Sequence, residues 1–299
     1  WAVSSMQTVI STAVFPIFFV QVAAVGRTEA QGTEALGYAN TAAAVLIAVL
    51  APILGAIADF KAAKKRFLVG FMLLGVTASA CMFFIAHGQL LFASILFILS
   101  MAGASGSMTF YESLLPHIAT EDEMDRVSTA GYALGYIGGG LLLALNVVWI
   151  TNPALVGLPS GENLTNAQAT LPTRLAFVSV GIWWLLFSIP VLRRVPEPPR
   201  TIEADETSTA NPLRVAFSRL GETLRELRSY KQAALAMLAF TIYNDGIQTI
   251  VKMAAAFGNE LHIPRKDLIL AILLVQFIGI PFAFAFGALA GKLGAKGSI

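Results

Sequence analysis

Apolar residues fall into eight long runs, at about 1–25, 37–59, 66–86, 89–114, 126–150, 173–193, 232–257 and 267–291. Each is close to the ~20 residues that carry a helix across the hydrocarbon core of a bilayer. The connections are short except for 151–172 and 194–231. The pattern predicts an all-α polytopic membrane protein.

Three runs carry polar residues at helical spacing. In the seventh, Asp245, Gln248, Thr249 and Lys252 fall at i, i+3, i+4 and i+7, with Asn244 adjacent. A charge at the centre of a spanning helix costs about 2.5–3.5 kcal/mol. Such a stripe is therefore expected to face protein or a water-filled cavity. In the first run Ser4, Thr8 and Ser11 share a face, with Gln7 beside them, and Gln7-Thr8-Val9-Ile10 echoes Gln248-Thr249-Ile250-Val251. In the fourth, Ser105, Thr109 and Glu112 share a face. Glu112 lies near a helix end, where snorkelling to water is the competing explanation. The predicted cavity set is Gln7, Thr8, Ser11, Thr109, Glu112, Asn244, Asp245, Gln248, Thr249 and Lys252.

Charge placement orients the spans. With the start of the chain cytoplasmic, Lys61, Lys64, Lys65, Arg66, Arg126, Arg193, Arg194, Arg200, Arg214, Arg219, Arg225, Arg228, Lys231, Lys292 and Lys296 share that side. Only Arg27, Arg174, Arg265 and Lys266 lie opposite, and Lys252 lies inside a span. This is the positive-inside bias. Between spans two and three the chain reads Gly55-Ala-Ile-Ala-Asp59-Phe-Lys61-Ala-Ala-Lys64-Lys65-Arg66, and a related string, Gly287-Ala-Leu-Ala-Gly291-Lys292-Leu-Gly-Ala-Lys296, lacks the acid. With the Gln-Thr echo, this implies an internal repeat of six spans and a parent of about twelve. The units are then 1–193, a six-span half; 194–231, a cytoplasmic linker; and 232–299, the first two spans of a second half. The first residue is not Met and the last follows an apolar run, so both ends read as cut.

Composition agrees: 56% of residues are hydrophobic and 13% charged, about half the charged share of a soluble domain. A net charge of +2, spread along the chain, points away from nucleic acid. Cys81 is the single cysteine, which excludes an internal disulfide and a cysteine metal cluster. No cofactor or metal is expected. In the linker, Pro196-Glu-Pro-Pro199 and an acidic, Thr-rich patch precede an amphipathic helix. Its apolar stripe of Leu213, Phe217, Leu220, Leu224 and Leu227 is expected on the cytoplasmic leaflet. Thr120 to Glu123 reads as a capping box. Acids in that loop, with Arg126, are positioned to pair with Lys64–Arg66. Gly131, Gly135 and Gly139 recur every fourth residue, a pattern for tight packing, with bending in transport as the sharper alternative. Trp183 and Trp184 fall near mid-span and read as packing or cavity residues. Asn163-Leu164-Thr165 matches a glycosylation acceptor by pattern alone.

These features resemble the major facilitator superfamily. Gly55, Asp59, Lys65 and Arg66 fit its loop between spans two and three loosely, with Phe60 at a usually basic position. The resemblance implies a cytoplasmic gate at Gly55, Asp59, Lys65, Arg66 and Arg126, and a cavity lined by spans one, four and seven. Within the superfamily the chain resembles the autophagy-related vacuolar amino-acid effluxers and their bacterial relatives. The carrying stretches are Gln7–Ile10, Phe15–Phe19, Phe110-Tyr111, Leu115-Pro116, Arg126–Ser128, Ala133–Gly140 and Tyr243–Thr249. The fold implied is a major-facilitator-type helical bundle, with eight of about twelve spans in this chain. The function implied is secondary, proton-coupled transport of a small solute such as an amino acid, by a monomer in a bacterial inner membrane. Two rivals remain at this point: a non-transporting sensor or scaffold on the same fold, and an intramembrane serine hydrolase using Gly103-Ala-Ser105-Gly106. The second lacks a histidine at the depth of Ser105.

Overall fold

A computed structural model describes residues 1–161, 163–199 and 212–293. Among them are nine long helices: α1 (Ala2–Ala23), α2 (Glu29–Lys61), α3 (Lys64–Cys81), α4 (Leu90–Glu112), α5 (Glu121–Thr151), α6 (Asn166–Arg194), α7 (Pro212–Ser229), α8 (Lys231–Glu260) and α9 (Arg265–Leu293). All but α7 are long and apolar enough to cross a bilayer. Short connections make successive spans antiparallel, so their ends gather at two faces. One face carries Lys61, Lys64, Lys65, Arg66, Arg126, Arg193 and Arg194 and is called the basic end below; the other is the far end. The expected positions of Arg200, the acidic Thr-rich patch at 201–211, and Gly294 to Lys296 with the residues after it lie outside the described residues.

The first six spans wrap around α1. In its most apolar stretch 78% of residues are buried, against none in α8. The core is aromatic there: Phe15 stacks on Phe97 at 5.0 Å between ring centroids, and Phe177 meets Phe18 edge-on at 5.2 Å. Ring pairs of this geometry add about 0.5–1.5 kcal/mol beyond the area they bury. The first span is not a plain α-helix. Met6–Ala13 and Phe19–Ala23 are wound as π-helix, closed by i→i+5 bonds such as Val14 N–H to Val9 O at 2.8 Å. Pro16 follows the first wide stretch; its ring crowds the carbonyl one turn back, and widening that turn relieves the clash.

Two glycine-lined seams tie the bundle. A Cβ at Gly103 of α4 would strike the backbone of Gly75 in α3, and one at Gly106 would strike Phe71. Ser79 and Ser100 share a 2.8 Å hydrogen bond in the same seam. The Gly103-Ala-Ser105-Gly106 motif is therefore a packing surface. On α5, a Cβ at Gly135 would lie 2.6 Å from Ser4 Oγ, and one at Gly139 would lie 2.5 Å from Thr8 Oγ1. The four-residue glycine spacing serves close approach of α5 to α1, although Gly131 faces open space. Trp184 is buried over Gly75, and Trp183 stacks on Trp1.

The sequence reading needs three corrections in the connections. The second and sixth spans begin at Glu29 and Asn166, earlier than 37 and 173. Each is opened by a Thr-x-x-Gln capping box, Thr28 with Gln31 and Thr165 with Gln168. The hydroxyl of Thr165 is thereby committed to a helix start. At Thr120 the expected box is not formed: its hydroxyl bonds Glu123 Oε2 at 3.0 Å, side chain to side chain, and caps no backbone N–H. Helix α7 forms where the amphipathic stripe predicts it, but buries Val215 and Ala216 and packs along α2. Phe217 of the stripe is 58% exposed, Leu220 and Leu227 are half-buried, and the side chains of Leu213 and Leu224 lie outside the described residues.

Candidate functional site

Helix α8 packs on α1 and α2 and is buried against them over its last turns. Ala255, Ala256, Gly258 and Asn259 are buried, whereas the helix from its start to Val251 carries no buried residue. At that far end Gln21 Nε2 donates to Asn259 Oδ1 at 2.6 Å, and Asn40 Nδ2 lies 3.9 Å from Met253 Sδ. On the opposite flank Arg265, opening α9, donates to Thr173 Oγ1 of α6 at 2.9 Å. The far end is thus stitched between the first six spans and the last two. Asn40 Oδ1, Asn259 Nδ2 and Arg265 Nε are buried there without a partner. Each such atom costs about 1–3 kcal/mol of desolvation, so the seam is closed but incompletely satisfied.

Toward the basic end α8 diverges. Asp245, Gln248 and Thr249 are exposed, and Asn244 and Lys252 half-buried. Asp245 and Lys252 are separated by about 10 Å of helix rise and form no ion pair. Gln7 is exposed, so it too borders open space, whereas Thr8 and Ser11 are 5% and 3% exposed within the helix packing. The i, i+4, i+7 stripe of α1 does not survive as a cavity wall, because Thr8 lies on Gly139 and the π-winding rotates successive side chains away from 3.6-residue spacing. On α4, Thr109 is exposed with its hydroxyl tied to Ser105 O at 3.0 Å. Glu112 is exposed and accepts the Tyr132 hydroxyl of α5 at 3.0 Å. No hydrogen bond joins the α8 stripe to Gln7, Thr109 or Glu112 among the described residues. They are exposed or half-buried without touching one another.

The residues expected at the gate are split between two devices. Asp59 pairs with Lys64 at 2.9 Å, not with Arg66, and Lys64 lies 3.4 Å from His117 Nε2. Lys65 turns the other way. Its ammonium donates to the carbonyls of Leu192 and Val195 at the C-terminus of α6, at 3.0 and 2.5 Å. In return Glu197 accepts the Lys65 backbone N–H, opening α3, at 3.1 Å to each oxygen. A cation thus sits at a helix C-terminus and an anion at a helix N-terminus, each favoured by the helix dipole. Arg66 and Val69 line the same cleft of about 470 Å³. Gly55 faces open space and Arg126 is exposed. Of the acids expected to approach this cluster, Glu123 binds Thr120, while the side chains of Glu121 and Asp122 lie outside the described residues.

Sequence reasoning missed Gln21, Asn40, Asn259 and Thr173, which look like ordinary polar flanks of apolar runs. Tyr132 was missed because a tyrosine in an apolar run carries no periodic signal. The histidines give Ser105 no partner: His117 stands by Lys64, and His262 bonds the Glu260 carbonyl beyond the end of α8.

The family described as "Vacuole effluxer Atg22 like" matches residues 21–298. The uncharacterized MFS-type transporter YxiO of Bacillus subtilis is 33% identical over 297 residues, covering 99% of this chain and 67% of YxiO. Autophagy-related protein 22 of Yarrowia lipolytica is 31% identical over 172 residues, 52% of this chain and 27% of that protein. The chain therefore spans about two thirds of the bacterial relative and about a quarter of the fungal one. Among solved structures, the xylose transporter XylE of E. coli, in a partially occluded inward-open conformation, superposes with a TM-score of 0.63 at 18% identity. It covers 99% of this chain and 69% of XylE. That likeness places the bundle in the major facilitator fold.

Proposed function

Because the chain belongs to the Atg22-like family of major-facilitator transporters, integral membrane proteins rather than enzymes, we propose that it moves a small solute, in the first instance an amino acid, by alternating access. One observation carries the mechanism: α8 is stitched to the first six spans at the far end and carries no buried residue toward the basic end. That is the geometry of a carrier closed on one side. The positive-inside bias assigns the basic end to the cytoplasm of a bacterial inner membrane, so the arrangement is inward-facing. Residues 1–193 act as one rocking body. Residues 232–299 open the second, and 194–231 tether the two, with α7 seated on α2.

In this reading Asp245 carries the coupling proton or meets a substrate amine, and Lys252 meets a carboxylate. A single α-amino acid cannot span the ~10 Å between them with its own two charged groups. It uses one of them together with another element, or the solute is longer. Gln7, Thr109 and Glu112 border the same space; Thr8 and Ser11 support it from behind. Asp59, Lys65, Arg66 and Arg126 form the cytoplasmic gate, with Gly55 leaving room for its closure, and the full-length protein works as a monomer.

The test uses full-length protein lacking Cys81, with a single cysteine at Ile247 or at Asn259. An impermeant maleimide should label the first from the cytoplasmic side and spare the second from outside. Added solute should reverse the ratio. Simultaneous labelling of both positions, or indifference to every solute in an amino-acid panel, would sink alternating access for these substrates.

A further inference from the structure

We propose that Glu112, held by the Tyr132 hydroxyl with Tyr111 and Tyr136 nearby, is the subsite that recognises the ammonium group of the transported solute. The proposal rests on the transport reading above and deepens it. Glu112 ends α4, which alone would suggest an acid snorkelling to water. Its partner places it otherwise. Tyr132 lies eleven residues into α5, which begins at Glu121. The carboxylate bonded to that phenol is therefore held against α5 and not left free at the end of α4. No lysine or arginine pairs with it among the described residues.

The surroundings suit an organic cation. Tyr136 is one helical turn beyond Tyr132 on the same face of α5 and packs its ring on Gly279 of α9. Tyr111 adjoins Glu112 and, with Tyr136, is an electrostatic neighbour of Tyr132. All three tyrosines are between 38% and 54% exposed. Tyr132 thus bridges Glu112 at the end of α4 to α5, the helix that packs along α9 of the second unit. The Tyr132 hydroxyl fixes one oxygen of the carboxylate, leaving most of its acceptor sites free for N–H donors. The rings add cation–π attraction, which grows as the ammonium sheds water. Metal is a poor alternative occupant, because no group of three or more His, Cys, Asp or Glu side chains gathers among the described residues.

The experiment uses full-length protein in phosphatidylglycerol nanodiscs, which contain no headgroup amine. Binding is read by thermal shift and by equilibrium dialysis for three probes with one skeleton: leucine, leucinamide and N-acetyl-leucine. Leucine and leucinamide should bind and N-acetyl-leucine should not. Glu112→Gln should weaken leucinamide at least about tenfold, the scale of a lost hydrogen-bonded charge. Tyr132→Phe, which keeps ring and acid, should weaken it by only a few-fold. Glu112→Asp keeps the charge and should fall between, which separates recognition from folding if the Gln variant melts early. Equal binding of N-acetyl-leucine, undiminished binding by folded Glu112→Gln, or no binding by any probe would overturn the subsite. The maleimide assay, on the same preparations, reports separately whether the transport cycle stands.

Discussion

Helices α1 and α8 carry the same four-residue theme, Gln-Thr followed by two β-branched residues, yet they use it differently. In α1 the hydroxyl of Thr8 is pressed onto Gly139, and the helix is widened into π-turns. In α8 Thr249 stands exposed on a regular α-helix, beside Asp245 and Gln248. The difference teaches that a polar stripe has two outlets in a helical bundle. Short hydroxyls can be absorbed by a glycine seam, but a carboxylate and an ammonium cannot, and they keep their space.

The largest expected contrast comes from adding volume to each helix surround. Gly139→Val forces a side chain into the Thr8 contact, and overpacking of this kind costs about 1–3 kcal/mol. The variant should lose monodisperse protein and melt several degrees early in a fluorescence-detected thermal ramp. Gly246→Val on α8, which faces open space, should be neutral or stabilising by about a few tenths of a kcal/mol, since valine is the better helix former. Equal damage would erase the distinction.

A second contrast exchanges charge for shape. Asp245→Asn should leave melting within a degree or two while abolishing solute-driven proton movement in proteoliposomes. Thr8→Leu should do the reverse, overfilling the close contact with Gly139 and lowering stability by about 1–3 kcal/mol while coupling persists. Intact coupling in Asp245→Asn would remove that residue from the mechanism.

Smaller still is the effect of loosening the far-end seam. Asn259→Ala deletes the acceptor of Gln21 at a site already holding unpaired atoms, worth about 1 kcal/mol net. Outward accessibility, read by cysteine labelling near the seam, should rise by roughly fivefold. The smallest effect is expected from Lys65→Ala, which frees two carbonyls at the end of α6 that water can reach, a loss of about 0.3–1 kcal/mol. It should shift melting slightly and leave ligand binding unchanged.

The spans were legible because bilayer thickness imposes a length on apolar runs, and the eight runs reappear as eight helices. The starts of α2 and α6 were not, since Thr28 and Thr165 open them within stretches whose polarity looks like loop. The glycine spacing at Gly135 and Gly139 announced packing correctly. The α8 stripe was legible because charge in an apolar run has few explanations. The π-winding of α1 was hidden: i→i+5 bonding leaves no trace in a pattern read at 3.6 residues per turn, and it misplaced Thr8 and Ser11. The pairing of Gln21 with Asn259, across 238 residues of sequence, has no local signature at all. Lys65 looked like one more member of a basic cluster; only folding shows that its ammonium belongs to α6.

The far-end seam has a consequence for how the carrier meets its surroundings. Gln21, Asn40, Asn259 and Thr173 carry no titratable proton, and Arg265 keeps its charge at any physiological pH. Closure on that side should therefore be indifferent to acidity and nearly blind to ionic strength. At the basic end Asp59 and Lys64 pair through charge, and Lys65 and Glu197 each place a charge at a helix end, contacts that salt screens. A change of medium should thus act on the contacts at one end of the bundle and leave those at the other as they were.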